Sequence, residues 1–431
     1  MCIIWQRQIV ILVTFFLALT FGFAQPTFAD SGTAPAGNTA AVSSGTVDNT
    51  LGSAGAYAAS ASATSNSAST EAEADRQLDE LPTQSVDDFW RSLQQQYGGY
   101  LPTVPGNNLV KAVFGNGGLH WNTFFAGIAR FFLAELVDNA QLLGAILVLA
   151  VLSAVLASIQ SAFEEQTVSQ VAYAVIFLVL MLLAVGSFTE AIGYARHAIQ
   201  SMTDFMLTTV PVVVTLLAAS GAPASAAFFQ PLLLFFVHFV SNTVFLVVFP
   251  LIFFAALLDL TSALSPRYQL TRLAGLLRTV GVGILGLALS AFVGIASIEG
   301  LGKGIADGVA LRTAKFAVST FVPVVGKAFA DAATTVASAS LLVKDAVGIA
   351  SLIIIACIAL FPALKILALS FIYNGSAALM QPLGENAMVA CLGTISKSLI
   401  LVFASVAVVA LMFFISICIL LVSTNMAVMM Q

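Results

Sequence analysis

Six apolar runs, at about 142–163, 168–188, 228–258, 279–297, 346–370 and 399–423, constrain this chain more than any other feature. Each supplies the roughly 20 residues an α-helix needs to cross ~30 Å of hydrocarbon. Composition agrees: 59% of the 431 residues are hydrophobic and 9% are charged, against about 25% charged in a soluble domain. The expected fold class is all-α, a polytopic membrane protein with about six spans. The formal net charge of −5 carries no nucleic-acid footprint, and the lipid membrane is the implied environment.

Ahead of the spans, Arg7 precedes the apolar segment "IVILVTFFLALTFGFA", and Gly22-Phe23-Ala24 and Thr27-Phe28-Ala29 offer small residues for cleavage. Residues 1–29 are read as a signal peptide, the other reading being an uncleaved anchor. Residues 30–84 are a Ser/Ala/Thr-rich linker with too few large apolar side chains to offset chain entropy, so disorder is expected. Residues 85–140 are read as a small extracytoplasmic helical module. In "SVDDFWRSLQQQYGGYLP", Val86, Phe89, Trp90 and Leu93 share one helix face, ended by Gly98-Gly99 and Pro102. "HWNTFFAGIARFFLAELVDNA" reads as an amphipathic or interfacial helix. Residues 141–431 form the membrane domain. Cys2, Cys357, Cys391 and Cys418 have no paired spacing, so neither a disulfide framework nor a metal site is implied.

Two segments between the spans stand out. In "SFTEAIGYARHAIQSMTDFM", Phe188, Ile192, Ala195, Ile199, Met202 and Met206 recur at steps of four and three, which predicts an amphipathic helix. It leads into "LTTVPVVVTLLAAS", and a related stretch, "FVPVVGKAFADA", begins at Phe321. Pro211 and Pro323 are 112 residues apart, as are Pro250 and Pro362, and windows 208–250 and 320–362 align without a gap at nine matching positions. This suggests an internal duplication, with approximate halves 168–278 and 279–398 and a final span 399–423. The alternative is chance similarity between apolar segments. Each Pro-Val-Val segment is expected to be broken or re-entrant. Pro250 is expected to tilt or kink the overlong 228–258 run. With residue 30 outside and the Pro211 segment not crossing, Arg267, Arg272 and Arg278 become cytoplasmic, as the positive-inside rule prefers. Six full spans, two broken segments and an outside C-terminus follow.

Few motifs carry chemistry. "GLGKGIADG" lacks phosphate-loop spacing, and Gly300, Gly304 and Gly308 instead make a small-residue stripe suited to close helix packing. His120, His197 and His238 are scattered, and neither H-E-x-x-H nor G-x-S-x-G occurs. No catalytic, cofactor-binding or metal-binding residue is assigned, and no enzyme activity is expected. The more informative residue is Lys365 in "LFPALKILALSF". A lysine at membrane depth costs about 2.5–3.5 kcal/mol on insertion scales unless it meets water or a partner. A carboxylate such as Asp259 or Asp345 is the expected partner. An interfacial anchor is the plainer reading.

Long strings throughout the chain carry a resemblance. "VDDFWRSLQQQYGGYLP", "EEQTVSQVAYAVIF", "SGAPASAAFFQP", "DGVALRTAKF", "FVPVVGKAFADA", "SASLLVKDAVGI", "FPALKILALSFIY" and "QPLGENAMVACLGTISKSL" resemble the stage III sporulation protein AE family of endospore-forming bacteria. The resemblance implies a structural or conducting subunit of a transenvelope channel linking mother cell and forespore, placed in the mother-cell membrane around the forespore. The partners it implies are other stage III A proteins, including ring-forming members and an ATPase, and a forespore protein. A secondary transporter or permease core for small molecules is the rival reading.

Overall fold

The structure, a computed structural model, describes residues 84–101, 109–114, 121–162, 166–220, 223–264, 270–295, 325–383 and 387–429. All regular elements among them are helical. They are α1 (Gln84–Tyr97), α2 (Leu109–Phe114), α3 (Trp121–Asp138), α4 (Ala140–Ala162), α5 (Gln166–Ala219) and α6 (Pro223–Thr243). A π turn (Val244–Val248), α7 (Phe249–Leu264), α8 (Thr271–Ile295), α9 (Val325–Met380), a 3-10 turn (Gln381–Leu383) and α10 (Ala387–Met429) follow. The expected leader and nearly all of the linker lie outside the described residues.

Five helices are long and apolar enough to cross a membrane, and a sixth crossing arises if the bent pair α3–α4 counts as one. Several exceed a single crossing. The candidate span Val171–Ala219 has 49 residues, about 74 Å at 1.5 Å per residue. The cause lies in its second half. The face bearing Phe188, Ile192, Ala195, Ile199, Met202 and Met206 is buried, so the predicted amphipathic helix exists but continues the preceding span without interruption.

α9 and α10 form the centre. Their most apolar windows are 78% and 72% buried, against 22–39% for α5, α6–α7 and α8. They run antiparallel: Lys344 on α9 meets Leu421 on α10 at one end, and Ser370 meets Ser396 toward the other. The serine hydroxyls lie 3.0 Å apart, and each also reaches the other residue's carbonyl oxygen at 3.1 Å. Small residues permit this approach, and exchanged hydrogen bonds hold it where the hydrophobic effect between lipid-immersed helices is weak. α5 packs antiparallel to α9, through Tyr373 donating to Ser187 Oγ at 2.9 Å and Lys365 above the Tyr194 ring. α6–α7 runs back along α5, with Thr203 and Ser241 hydroxyls 2.6 Å apart and Phe188 stacked on Phe253. α8 returns along α6–α7, with Arg278 on Asp259 and Phe236 against Phe292.

The proline segments differ from expectation. Pro211 lies inside an unbroken α5. Proline removes one amide and crowds the preceding turn, but here the tertiary contacts on α5's buried face keep the helix continuous. Pro362 is buried within an unbroken α9. Pro250 does mark an irregularity. The turn before it widens to a π turn, in which the Phe249 amide reaches back to Val244 O. Pro323 lies outside the described residues. Windows 208–250 and 320–362 therefore follow different paths. The first reverses direction between α5 and α6, whereas the described part of the second, from Val325, is one helix.

The N-terminal helices pack onto this bundle. In α1, Val86, Trp90, Leu93 and Tyr97 are buried and Phe89 is half-buried, which is the face the sequence predicted. Asp87 Oδ1 accepts the Leu109 amide at 3.0 Å, tying α1 to the first residue of α2. Burial pushes the Asp87 carboxyl above its ordinary range, against the opposing pull of the Leu109 and Val110 amides. α3 then crosses close behind. A Cβ at Gly127 would lie 2.0 Å from Tyr100 O, so only glycine fits this crossing.

Candidate functional site: charged residues within the bundle

Lys365 sits on α9 three residues after Pro362, facing the α3–α4 elbow and α5. Its partner is neither Asp259 nor Asp345 but Glu135, with Nζ 3.7 Å from Oε2. Lysine and glutamate side chains are 28% and 12% exposed, so the pair is largely enclosed. Nζ also lies 5.2 Å from the centroid of the Tyr194 ring, within cation–π range. The Tyr194 hydroxyl donates to Glu190 Oε1 at 2.5 Å, one turn back on α5.

The elbow itself places Glu135. Asn139 stands between α3 and α4, and its side-chain amide donates to Glu135 O at 2.8 Å and Glu135 Oε1 at 3.2 Å. The backbone ladder persists through the elbow, with the Asn139 amide on Glu135 O at 3.1 Å and the Leu143 amide on Asn139 O at 3.2 Å, and the axis bends there by 45°. The Asn139 side chain thus shares the Glu135 carbonyl and holds the Glu135 carboxylate at the elbow. Beside it, Tyr97 stacks on Phe361 with centroids 4.2 Å apart, and Phe131 meets both rings edge-on. Burial, and secondarily the charge of Glu135, push the Tyr97 hydroxyl up to about 12.

The expected partners of Lys365 are engaged elsewhere. Asp259 Oδ2 receives Arg278 Nη2 at 2.7 Å, and the same nitrogen reaches Ser398 Oγ at 3.4 Å, joining α7, α8 and α10. Asp345 lies 3.5 Å from the fully buried Lys344, whose ammonium donates to Leu421 O at 3.0 Å. These contacts tie helices together. Glu135, Tyr194 and Asn139 were missed from the sequence. The one available signal was an acid within the apolar stretch "FFLAELV", and nothing in it names the helix it faces.

Of the remaining sequence candidates, Pro211 and Pro250 are half-buried, and Pro362 is buried one turn away from Lys365. Pro323, Gly300, Gly304 and Gly308 lie outside the described residues. Among the described residues no group of three or more His, Cys, Asp and Glu could hold a metal ion. The arrangement holds charge inside an apolar bundle.

Residues 106–424 match the family "Stage III sporulation protein AE". A relative of that name from Bacillus subtilis (strain 168) is 41% identical over 361 residues, covering 84% of this chain and 90% of that protein. No solved structure matches the chain.

Proposed function

The chain belongs to the stage III sporulation protein AE family, and from that premise we propose that it is a conducting or structural subunit of a transenvelope channel between mother cell and forespore. A sporulation role at a membrane follows from the family and from the spans. The finer proposal is that the chain resides in the mother-cell membrane around the forespore, with other stage III A proteins, an ATPase among them, and a forespore protein as partners. It carries out no reaction of its own.

The observation that supports a conducting role is the Lys365–Glu135 pair. Keeping two charges inside an apolar bundle is costly, and an ionisable residue within a membrane span points to a solute pathway by default. The same pair favours the rival reading, a permease core, because ion-coupled carriers also hold ionisable groups there. The deciding experiment follows a small labelled solute into the forespore with the wild-type chain or Lys365→Met, and in parallel tests the purified chain in liposomes. Transfer that needs both this chain and its partners supports the channel subunit. Specific uptake by the purified chain alone replaces it with the permease.

A further inference from the structure

We propose that the outward face of α5 between Glu190 and Thr208 forms one wall of a water-filled passage through the membrane. This wall presupposes the channel role above and identifies the surface of the chain that carries it.

Glu190, Arg196, His197, Gln200, Asp204 and Thr208 are all exposed, and apart from Arg196 beside His197 they follow one another at steps of seven, three, four and four. Such steps hold residues on one side of a helix. The strip covers 19 residues, a rise of about 27 Å at 1.5 Å per step, close to the ~30 Å of a hydrocarbon core. In lipid, each of its charges would cost about 2.5–3.5 kcal/mol on insertion scales.

A strip like this could simply stand outside the bilayer, but its neighbours indicate otherwise. Thr203 meets Ser241 and Phe188 meets Phe253, so residues 188–203 run beside 241–253. Around that height the large outward side chains of α6, the π turn and α7 are Phe239, Leu246 and Phe254, 48%, 68% and 55% exposed, with the polar His238 and Asn242 exposed among them. The bundle therefore shows a mainly apolar flank, with no Asp, Glu, Lys or Arg from 238 to 254, and charged and amide side chains on another. Lipid on the first and water on the second satisfies both.

α1 extends the polar flank. Phe89 packs edge-on against Phe205, 5.1 Å between centroids, while Arg91 and Asp88 pair at 2.8 Å on the exposed side of α1 beside Ser92 and Gln95. Acids and bases alternate over the combined surface, with no single sign dominating. The fitting solute is therefore a small hydrophilic molecule rather than an ion of one charge.

The test uses the full-length chain in membranes of sporulating cells, with the native cysteines replaced by alanine. Gln200→Cys and Asp204→Cys probe the strip, and Leu246→Cys and Phe254→Cys the other flank. His197→Cys and Thr208→Cys stand in for any strip variant that fails to accumulate. Each is exposed to a membrane-impermeant maleimide and, separately, to a lipid-dissolved carbene reagent. The strip should react with the maleimide alone and the other flank with the carbene alone. Maleimide labelling of both flanks would place this height outside the bilayer and overturn the passage. Carbene labelling of the strip, or labelling of the strip by neither reagent, would overturn it in favour of lipid or of a protein contact. Each overturning result leaves the channel role itself to the solute-transfer experiment, which reads partner dependence and not this face.

Discussion

Replacing Lys365 by methionine removes the ammonium and keeps most of the side-chain volume, so its cost reports on charge. At 3.7 Å from Glu135, with an effective dielectric constant of ~20, the Coulomb attraction is about 4 kcal/mol. Breaking a buried pair typically costs about 3–5 kcal/mol, because the remaining charge is left uncompensated. Two features lower that figure. Lys365 is 28% exposed, so part of the attraction is screened, and Glu135 keeps the Asn139 amide at 3.2 Å. The expected loss for Lys365→Met is about 2–3 kcal/mol. Glu135→Gln should cost less, about 1–2 kcal/mol, because the ammonium keeps the Tyr194 ring, worth about 1 kcal/mol. The double variant should be more stable than the sum of the two losses implies, with a coupling of about 1–2 kcal/mol. Lys365→Arg should fall between wild type and methionine in both stability and sporulation. Denaturant unfolding of the purified chain in detergent measures the cycle. Single losses below about 0.5 kcal/mol that add without coupling would refute the reasoning, because Lys365 would then be solvated independently of Glu135.

Four further outcomes are expected. Gly127→Ala should destabilise the α1–α3 region by about 1–3 kcal/mol, since its Cβ meets the Tyr100 carbonyl, and faster proteolysis before α3 would report it. Gly348→Ala meets the Leu421 side chain from Cγ outward, so Leu421→Ala should rescue it, and absence of rescue in a thermal-aggregation assay would count against the α9–α10 contact. Pro211→Ala should be tolerated or stabilising by up to about 3 kcal/mol, because it restores an amide inside an unbroken helix; loss of function at unchanged protein level would restore a role for the proline itself. The folded state holds the Asp87 proton more tightly than the unfolded chain does, because burial raises its pKa. The stability it contributes is therefore present below the ordinary carboxylate range and lost as pH rises through the raised value. Protease protection of α1–α2 should fall across that window, and Asp87→Asn should flatten the fall.

What the sequence settled by itself was what local rules govern. Apolar run length fixed the membrane class and the six runs, because a helix in lipid satisfies its own backbone within one segment. Steps of three and four residues identified the buried faces of α1 and of α5 from Phe188 to Met206, because the helical period is set by the backbone. Pro250 announced an irregularity that took the form of a π turn. Tertiary structure decided what depends on which helices meet. Pro211 breaks nothing, because contacts along the buried face of α5 outweigh one missing amide. Lys365 faces Glu135 instead of Asp259 or Asp345, since those two are engaged by Arg278 and Lys344 on their own sides of the bundle. Glu135 itself stands at the 45° elbow between α3 and α4, where the Asn139 side-chain amide holds its carboxylate. The hydrophobic pattern, which responds to burial alone, carries no trace of it.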